Sequence, residues 1–160
     1  MPDETLRGVK TRIQFRKKPN SVTPDYRPSW KVPLLLLILH ISSRGGKSSL
    51  TRLHVLNWAT RTALHQQEFT QTVESSVPLF KFRVRFEPAF SRAIDLAAAA
   101  GFVKWVNGNR LELAPQGESI ARDLVKQKEA FGPEITFLEG VGKRVTEDQA
   151  LKLLKGTDIA

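Results

Sequence analysis

The chain has 160 residues, with 25 Lys and Arg against 16 Asp and Glu, three His, no cysteine, 41% hydrophobic and 8% aromatic residues. That length suits one domain with an arm or appended piece, and the apolar share excludes a wholly disordered chain, while the missing cysteines exclude a disulfide framework, a thiolate metal site and a Cys nucleophile. The net charge of +9 is lopsided, with residues 1–114 carrying +10 and residues 115–160 carrying −1, so an acidic partner is expected, either nucleic acid or an acidic protein face.

Residues 1–31 read as a basic extended arm. Four prolines, Pro2, Pro19, Pro24 and Pro28, prevent a long helix, and residues 9–16, "VKTRIQFR", alternate as a strand does. The arm's cations include Arg12, Arg16, Lys17, Lys18 and Lys31. It is either a solvated leader or a segment lying against its own domain or another chain. No apolar stretch of secretory type opens the chain, so a cytoplasmic protein is expected.

Residues 32–130 read as the main domain. The run "VPLLLLILHI" over residues 32–41 is 10 residues long. A membrane span needs about 20, so this is a helix buried on all sides, with Pro33 in its first turn and its end near Ser42. Arg44-Gly45-Gly46-Lys47 forms a turn, and Ser48 or Ser49 caps a second helix running to about Thr60. Residues 61–79 hold a short helix at most. "KFRVRF" at residues 81–86 alternates strictly, predicting a strand with Phe82, Val84 and Phe86 on one face and Lys81, Arg83 and Arg85 on the other. Glu87-Pro88 starts a helix over residues 89–100 with Phe90, Ala93, Ile94, Ala97 and Ala100 as its buried stripe, and Gly101 ends it. A hairpin follows, turning at Asn107-Gly108-Asn109, and Pro115 opens the next helix. Residues 131–160 read as a short tail punctuated by Gly132, Pro133, Gly140 and Gly142, with a capping box at Thr146 and Gln149 before one small helix.

This succession, above all "LAAAAGFVKWVNGNRLELAPQGESIARDL" at residues 96–124, resembles a winged helix-turn-helix domain, an α+β fold whose hairpin is the wing. In that fold the helix of residues 89–100 faces the major groove. Its exposed residues are Ala89, Ser91, Arg92, Asp95, Ala98 and Ala99, of which Arg92 alone suits a bidentate base contact, so sequence-specific reading is not expected. The cations lie instead on Arg44 and Lys47 in the turn, on Lys81, Arg83 and Arg85, on Lys104 and Arg110 of the wing, and on the arm. There they would meet phosphates without reading bases, or meet an acidic protein surface. Alternation with Val103 places Trp105 in the core; facing outward, it would anchor a partner. Trp58 belongs to the core, and Trp30 staples the arm to the first helix.

No catalytic pattern emerges. "ISSRGGKS" at residues 41–48 lacks the first glycine of a phosphate loop, with Ile41 in its place, and follows a helix rather than a strand. His40, His54 and His65 match no metal-ligand spacing, and His40 and His54 are expected at amphipathic edges of the first two helices. No enzyme, metal or cofactor is expected.

The stretches "WKVPLLLLILHISSRGGKSSLTRLHVLNWATRT", "VRFEPAFSRAIDLAAAAGFV" and "RLELAPQGESIA" resemble the middle component of bacterial three-component ABC-ATPase systems, which act in antiphage or DNA-conflict defence. Glu87 stands where that family tends to place Asp. The resemblance implies a non-catalytic adaptor in a hetero-oligomer with a larger ATPase of the SMC/Rad50 type, with non-specific DNA contact and no membrane. A free-standing winged-helix transcriptional regulator is the alternative.

Overall fold

The computed structural model describes residues 26–75 and 84–155. Among them are seven helices and one three-stranded antiparallel sheet, an α+β arrangement. In chain order these are α1 (Pro28–Ser42), a single 3-10 turn (Arg44–Gly46), β1 (Lys47–Ser49), α2 (Leu50–Thr60), α3 (Ala63–Ser75), α4 (Pro88–Ala99), β2 (Val103–Val106), β3 (Arg110–Leu113), α5 (Pro115–Lys126), α6 (Lys128–Val141) and α7 (Glu147–Lys155).

α1 is the central post. Leu34, Leu35, Leu36, Leu37, Ile38 and Leu39 are all buried, because α4, α5 and α6 surround the helix. Pro28, not Pro33, occupies its first turn, so α1 begins five residues earlier than the apolar run suggests. Pro33 is tolerated inside because the bond it forgoes would fall on the carbonyl of Ser29, which lies at the exposed start of the helix. Trp30 and Lys31 therefore belong to α1. Trp30 stacks on Phe131 of α6 at 4.2 Å, while residues 1–25 of the arm it was expected to staple lie outside the described residues.

Gly45 and Gly46, at φ of 61° and 67°, turn the chain from α1 into β1. β1 joins the sheet beside β3, giving the order β1-β3-β2. The register pairs Lys47 with Glu112 and Ser48 with Leu111 on one side, and Lys104 with Glu112 and Trp105 with Leu111 on the other. Ser48, Leu111 and Trp105 thus share the inner face, and Lys47, Glu112 and Lys104 the outer one. The hairpin turns through Asn107 and Gly108, both at positive φ, as the Asn-Gly pair foretells. The carbonyl of Asn109 accepts the N–H of Leu50, tying the hairpin tip to the start of α2.

The strand expected at residues 81–86 is not found where it is described: residues 84–87 carry no regular structure, and residues 81–83 lie outside the described residues. Val84 is buried, but Phe86 lies flat on His54 at 4.0 Å and stays half exposed. The third strand is β1 instead.

α4 ends as Gly101 dictates. The N–H of Phe102 reaches the carbonyl of Ala97 at 2.9 Å and that of Gly101 the carbonyl of Ala98 at 3.1 Å, the paired bonds of a left-handed glycine cap. Ala100, assigned to the buried stripe, is exposed because the cap turns the chain there. α3 fills 13 residues, longer than the polar composition suggested, with Phe69 buried against Phe137 of α6.

α6 continues through Gly132 and Pro133 with a change of direction at Phe131 (φ −127°, ψ 29°). Ile135, Leu138, Val141 and Val145 are buried in the common core. α7 follows, its Thr146–Gln149 capping box formed in both directions at 3.0 and 3.1 Å, and it packs on α2. The helix α6 runs across residues 130 and 131, and α7 supplies core residues Ala150 and Leu153.

Candidate functional site

Two polar assemblies stand out, one open and one sealed. The open one begins at the Arg44–Lys47 turn. Ser49 caps α2, its side chain accepting the N–H of Arg52 at 3.1 Å. Arg52 is itself buried. Its guanidinium donates to the carbonyl of Val145 at 2.7 Å, to Ser43 Oγ at 3.0 Å and to the carbonyl of Ser42, so one side chain ties the end of α1 to the approach of α7. Burial lowers the Arg52 pKa, Glu147 opposes that, and Arg44 adds to it.

Above Arg52 opens a cleft of about 230 Å³, lined by Arg44, Lys47, Arg52, Arg110, Lys143 and Glu147 together with Val145 and Thr146. The Glu147 carboxylate receives the N–H of Ser49 at 3.0 Å and the Ser49 hydroxyl, and it lies 3.5 Å from Arg110 Nη2. Beside the cleft, on the outer sheet face, Glu112 sits 3.7 Å from Lys47 and 3.6 Å from Lys104. All three side chains reach solvent, so each pair adds well under about 1 kcal/mol of stability.

Of the cations singled out in the sequence, Arg44, Lys47 and Arg110 converge on this cleft. Lys104 stands next to it in the Glu112 ladder. Arg85 and Arg92 are exposed and do not line it. Arg12, Arg16, Lys17, Lys18, Lys81 and Arg83 lie outside the described residues. Arg52, Lys143 and Glu147 were not foreseen. No motif marks Arg52 in the sequence, and residues 52–60 of α2 are buried all round.

The sealed assembly lies at the foot of α4. Lys31, counted above among the arm's cations, is 1% exposed. Its ammonium donates to Asn57 Oδ1 at 2.8 Å and to Glu87 Oε2 at 3.0 Å, and Asn57 Nδ2 donates to the same oxygen at 2.7 Å. Glu87 accordingly makes no capping bond to α4, although it occupies the N-cap position. Its carboxylate is turned inward.

His54 packs against this assembly, stacked on Phe86 and edge-on to Phe90 at 5.2 Å. It is fully buried rather than at an amphipathic edge. Burial pushes its pKa down to about 4, Glu87 opposing and Lys31 reinforcing the shift. The imidazole is therefore neutral at pH 7. Because the folded pKa lies below the unfolded one, stability is full above pH 6.5 and falls as pH drops toward 4. The expected loss from this group is about 3 kcal/mol. Urea unfolding at pH 7, 5 and 4 measures it, and His54→Phe should flatten the profile by that amount. A parallel pH profile in the variant would exclude His54 as the cause.

The outer face of α4 presents Ser91, Arg92, Asp95, Leu96 and Ala99. Leu96 is 45% exposed, and Trp105, expected in the core, is 44% exposed. Trp105 does share the inner sheet face with Val103 and Leu111, but β2 carries it past the edge of the core toward the hairpin tip.

Among the described residues no three His, Asp or Glu side chains lie together as a metal site would require, and no helix is long and apolar enough to cross a membrane. Comparison with family models, with curated proteins and with solved structures finds no match to the chain.

Proposed function

We propose that the chain is a non-catalytic accessory subunit of winged-helix type. It binds a larger SMC/Rad50-like ATPase in an antiphage or DNA-conflict system and touches nucleic-acid phosphates without reading bases. The element order supports the fold assignment: helix, strand and helix, then a further helix and a hairpin, with β1 closing on β3 of that hairpin. α3 is then an insertion between the second and third helices of the motif, and α4 takes the position of the reading helix.

The observation that carries the functional reading is the outer face of α4. It offers one cation, one carboxylate and a half-exposed leucine. Base edges call for bidentate donors and acceptors, whereas an exposed Leu96, with Trp105 on the neighbouring hairpin, suits a protein partner. A free-standing transcriptional regulator is the second reading, favoured by Arg92 on α4 and by Lys104 and Arg110 on the hairpin.

Affinity purification of the tagged chain from its native host separates the two. Recovery of an SMC/Rad50-like ATPase is expected, reduced roughly tenfold by Leu96→Asp with the melting temperature unchanged. A homodimer that prefers one operator over scrambled duplexes at nanomolar concentration would establish the regulator instead.

A further inference from the structure

We propose that the cleft between the Arg44–Lys47 turn and the start of α7 is a binding site for a phosphate group, carried by a nucleic-acid strand or a free nucleotide, and that the Glu147 carboxylate is the internal anion it displaces. This deepens the phosphate-contact part of the functional reading and does not depend on an ATPase partner.

The floor of the cleft is a buried cation whose direct hydrogen-bond partners are neutral. Arg52 is satisfied by two carbonyls and a serine hydroxyl, and among the described residues no carboxylate lies within ion-pair distance of it. Those acceptors take up three of its five N–H groups and carry no formal charge, so its charge is offset only at a distance, by Glu147. Its burial lessens screening of that charge by water, so it adds to the positive potential of the cleft. Arg44 and Lys143 line the same cleft, and neither forms an ion pair among the described residues. Positive charge is thus gathered from α2, the 3-10 turn, β3 and the α6–α7 connection, at a cost in mutual repulsion that a bound anion would remove.

The one carboxylate present shows where an anion fits. Glu147 is held by a backbone N–H and a hydroxyl at the start of α2, and the Arg110 guanidinium lies 3.5 Å from the oxygen that accepts the N–H. Amide, hydroxyl and arginine around one oxyanion is the donor set that receives phosphate at helix starts. Glu147 is 40% exposed on the first turn of a short helix, so its side chain has room to swing out. A phosphate in its place keeps the Ser49 and Arg110 contacts and adds Arg44 and Lys143, which the shorter carboxylate leaves unpaired.

Titration of the full chain with inorganic phosphate, followed by amide and arginine Nε NMR signals, is the test. Ser49, Arg52 and Arg110 are expected to shift together and saturably. Arg110→Ala and Lys143→Ala should each weaken binding about tenfold, and Glu147→Gln, which keeps an acceptor for Ser49 but removes the competing charge, should tighten it by a similar factor. Competition then identifies the source: a single-stranded oligonucleotide or a nucleoside triphosphate, whichever displaces phosphate at the lower concentration. Equal affinity in all four chains, or shifts spread evenly to Arg92 and Lys126, would mean diffuse charge attraction and overturn the proposal. So would stronger displacement by a glutamate-rich peptide of equal charge, which would make the cleft a contact for an acidic protein. Failure to recover an ATPase in the earlier purification leaves each of these results standing.

Discussion

Lys31→Ala is expected to destabilise the protein by about 3–5 kcal/mol, because it strands the Glu87 carboxylate in the interior. In the native chain that carboxylate receives both the ammonium and the Asn57 amide on Oε2, while Oε1 is buried without a hydrogen-bond partner. Removing the lysine leaves a charge with a single amide donor on a side chain only 8% exposed. The value is read from urea unfolding at pH 7. Lys31→Met combined with Glu87→Gln should recover more than half of the loss, since the amide is neutral and still pairs with Asn57. Were Lys31→Ala to cost under about 1 kcal/mol, the pocket would have to admit water. The pair also explains why α4 begins where it does: Glu87 at its start is pinned to α1, 56 residues away in sequence.

Gly117→Ala is the second large effect. A Cβ at Gly117 would fall 2.1 Å from the carbonyl oxygen of Phe102 and 2.9 Å from its carbon. That oxygen already accepts the N–H of Ala114, and the N–H of Phe102 belongs to the glycine cap of α4. Relief therefore requires α5 to move away from the hairpin base, loosening the end of α4, the entry to β2 and the start of α5 at once. Alanine favours helix over glycine by about 1 kcal/mol, which is far too little to offset the clash; a net loss of at least about 3 kcal/mol is expected. Gly140→Ala serves as the control. Gly140 lies inside α6 with nothing near its missing Cβ, so a gain of about 0.5–1 kcal/mol is expected there. Paired thermal and urea unfolding distinguishes the two, and equal effects would refute the close approach at Gly117.

What was legible in the sequence was local chemistry. Ser49, Gly101, Asn107-Gly108 and the Thr146–Gln149 box all act within a few residues of themselves, and each does in the structure what its type demands. What escaped depends on partners distant in sequence. β1 is three residues, "KSS", with no apolar alternation, and it is extended because β3 pairs with it. Conversely, residues 84–87 alternate yet find no strand to pair with among the described residues, so Phe86 is placed by His54 instead. Lys31 looked like one more arm cation until Glu87 met it. The cleft was half visible: Arg44, Lys47 and Arg110 were marked as cations, but their convergence with Lys143 and Glu147 follows from the β1–β3 register and from α7 packing on α2.

The Lys47–Glu112–Lys104 ladder contributes little to the finished fold, yet it discriminates among wrong ones. If β3 slid two places against its neighbours, each side chain would keep its face, so burial of the leucines would penalise the error only weakly. Such a slide would set Arg110 between Lys47 and Lys104, replacing an alternating row with three like charges abreast. A hairpin assembling around so short a first strand thus carries its own alignment check, written in charge where apolar contacts are ambiguous.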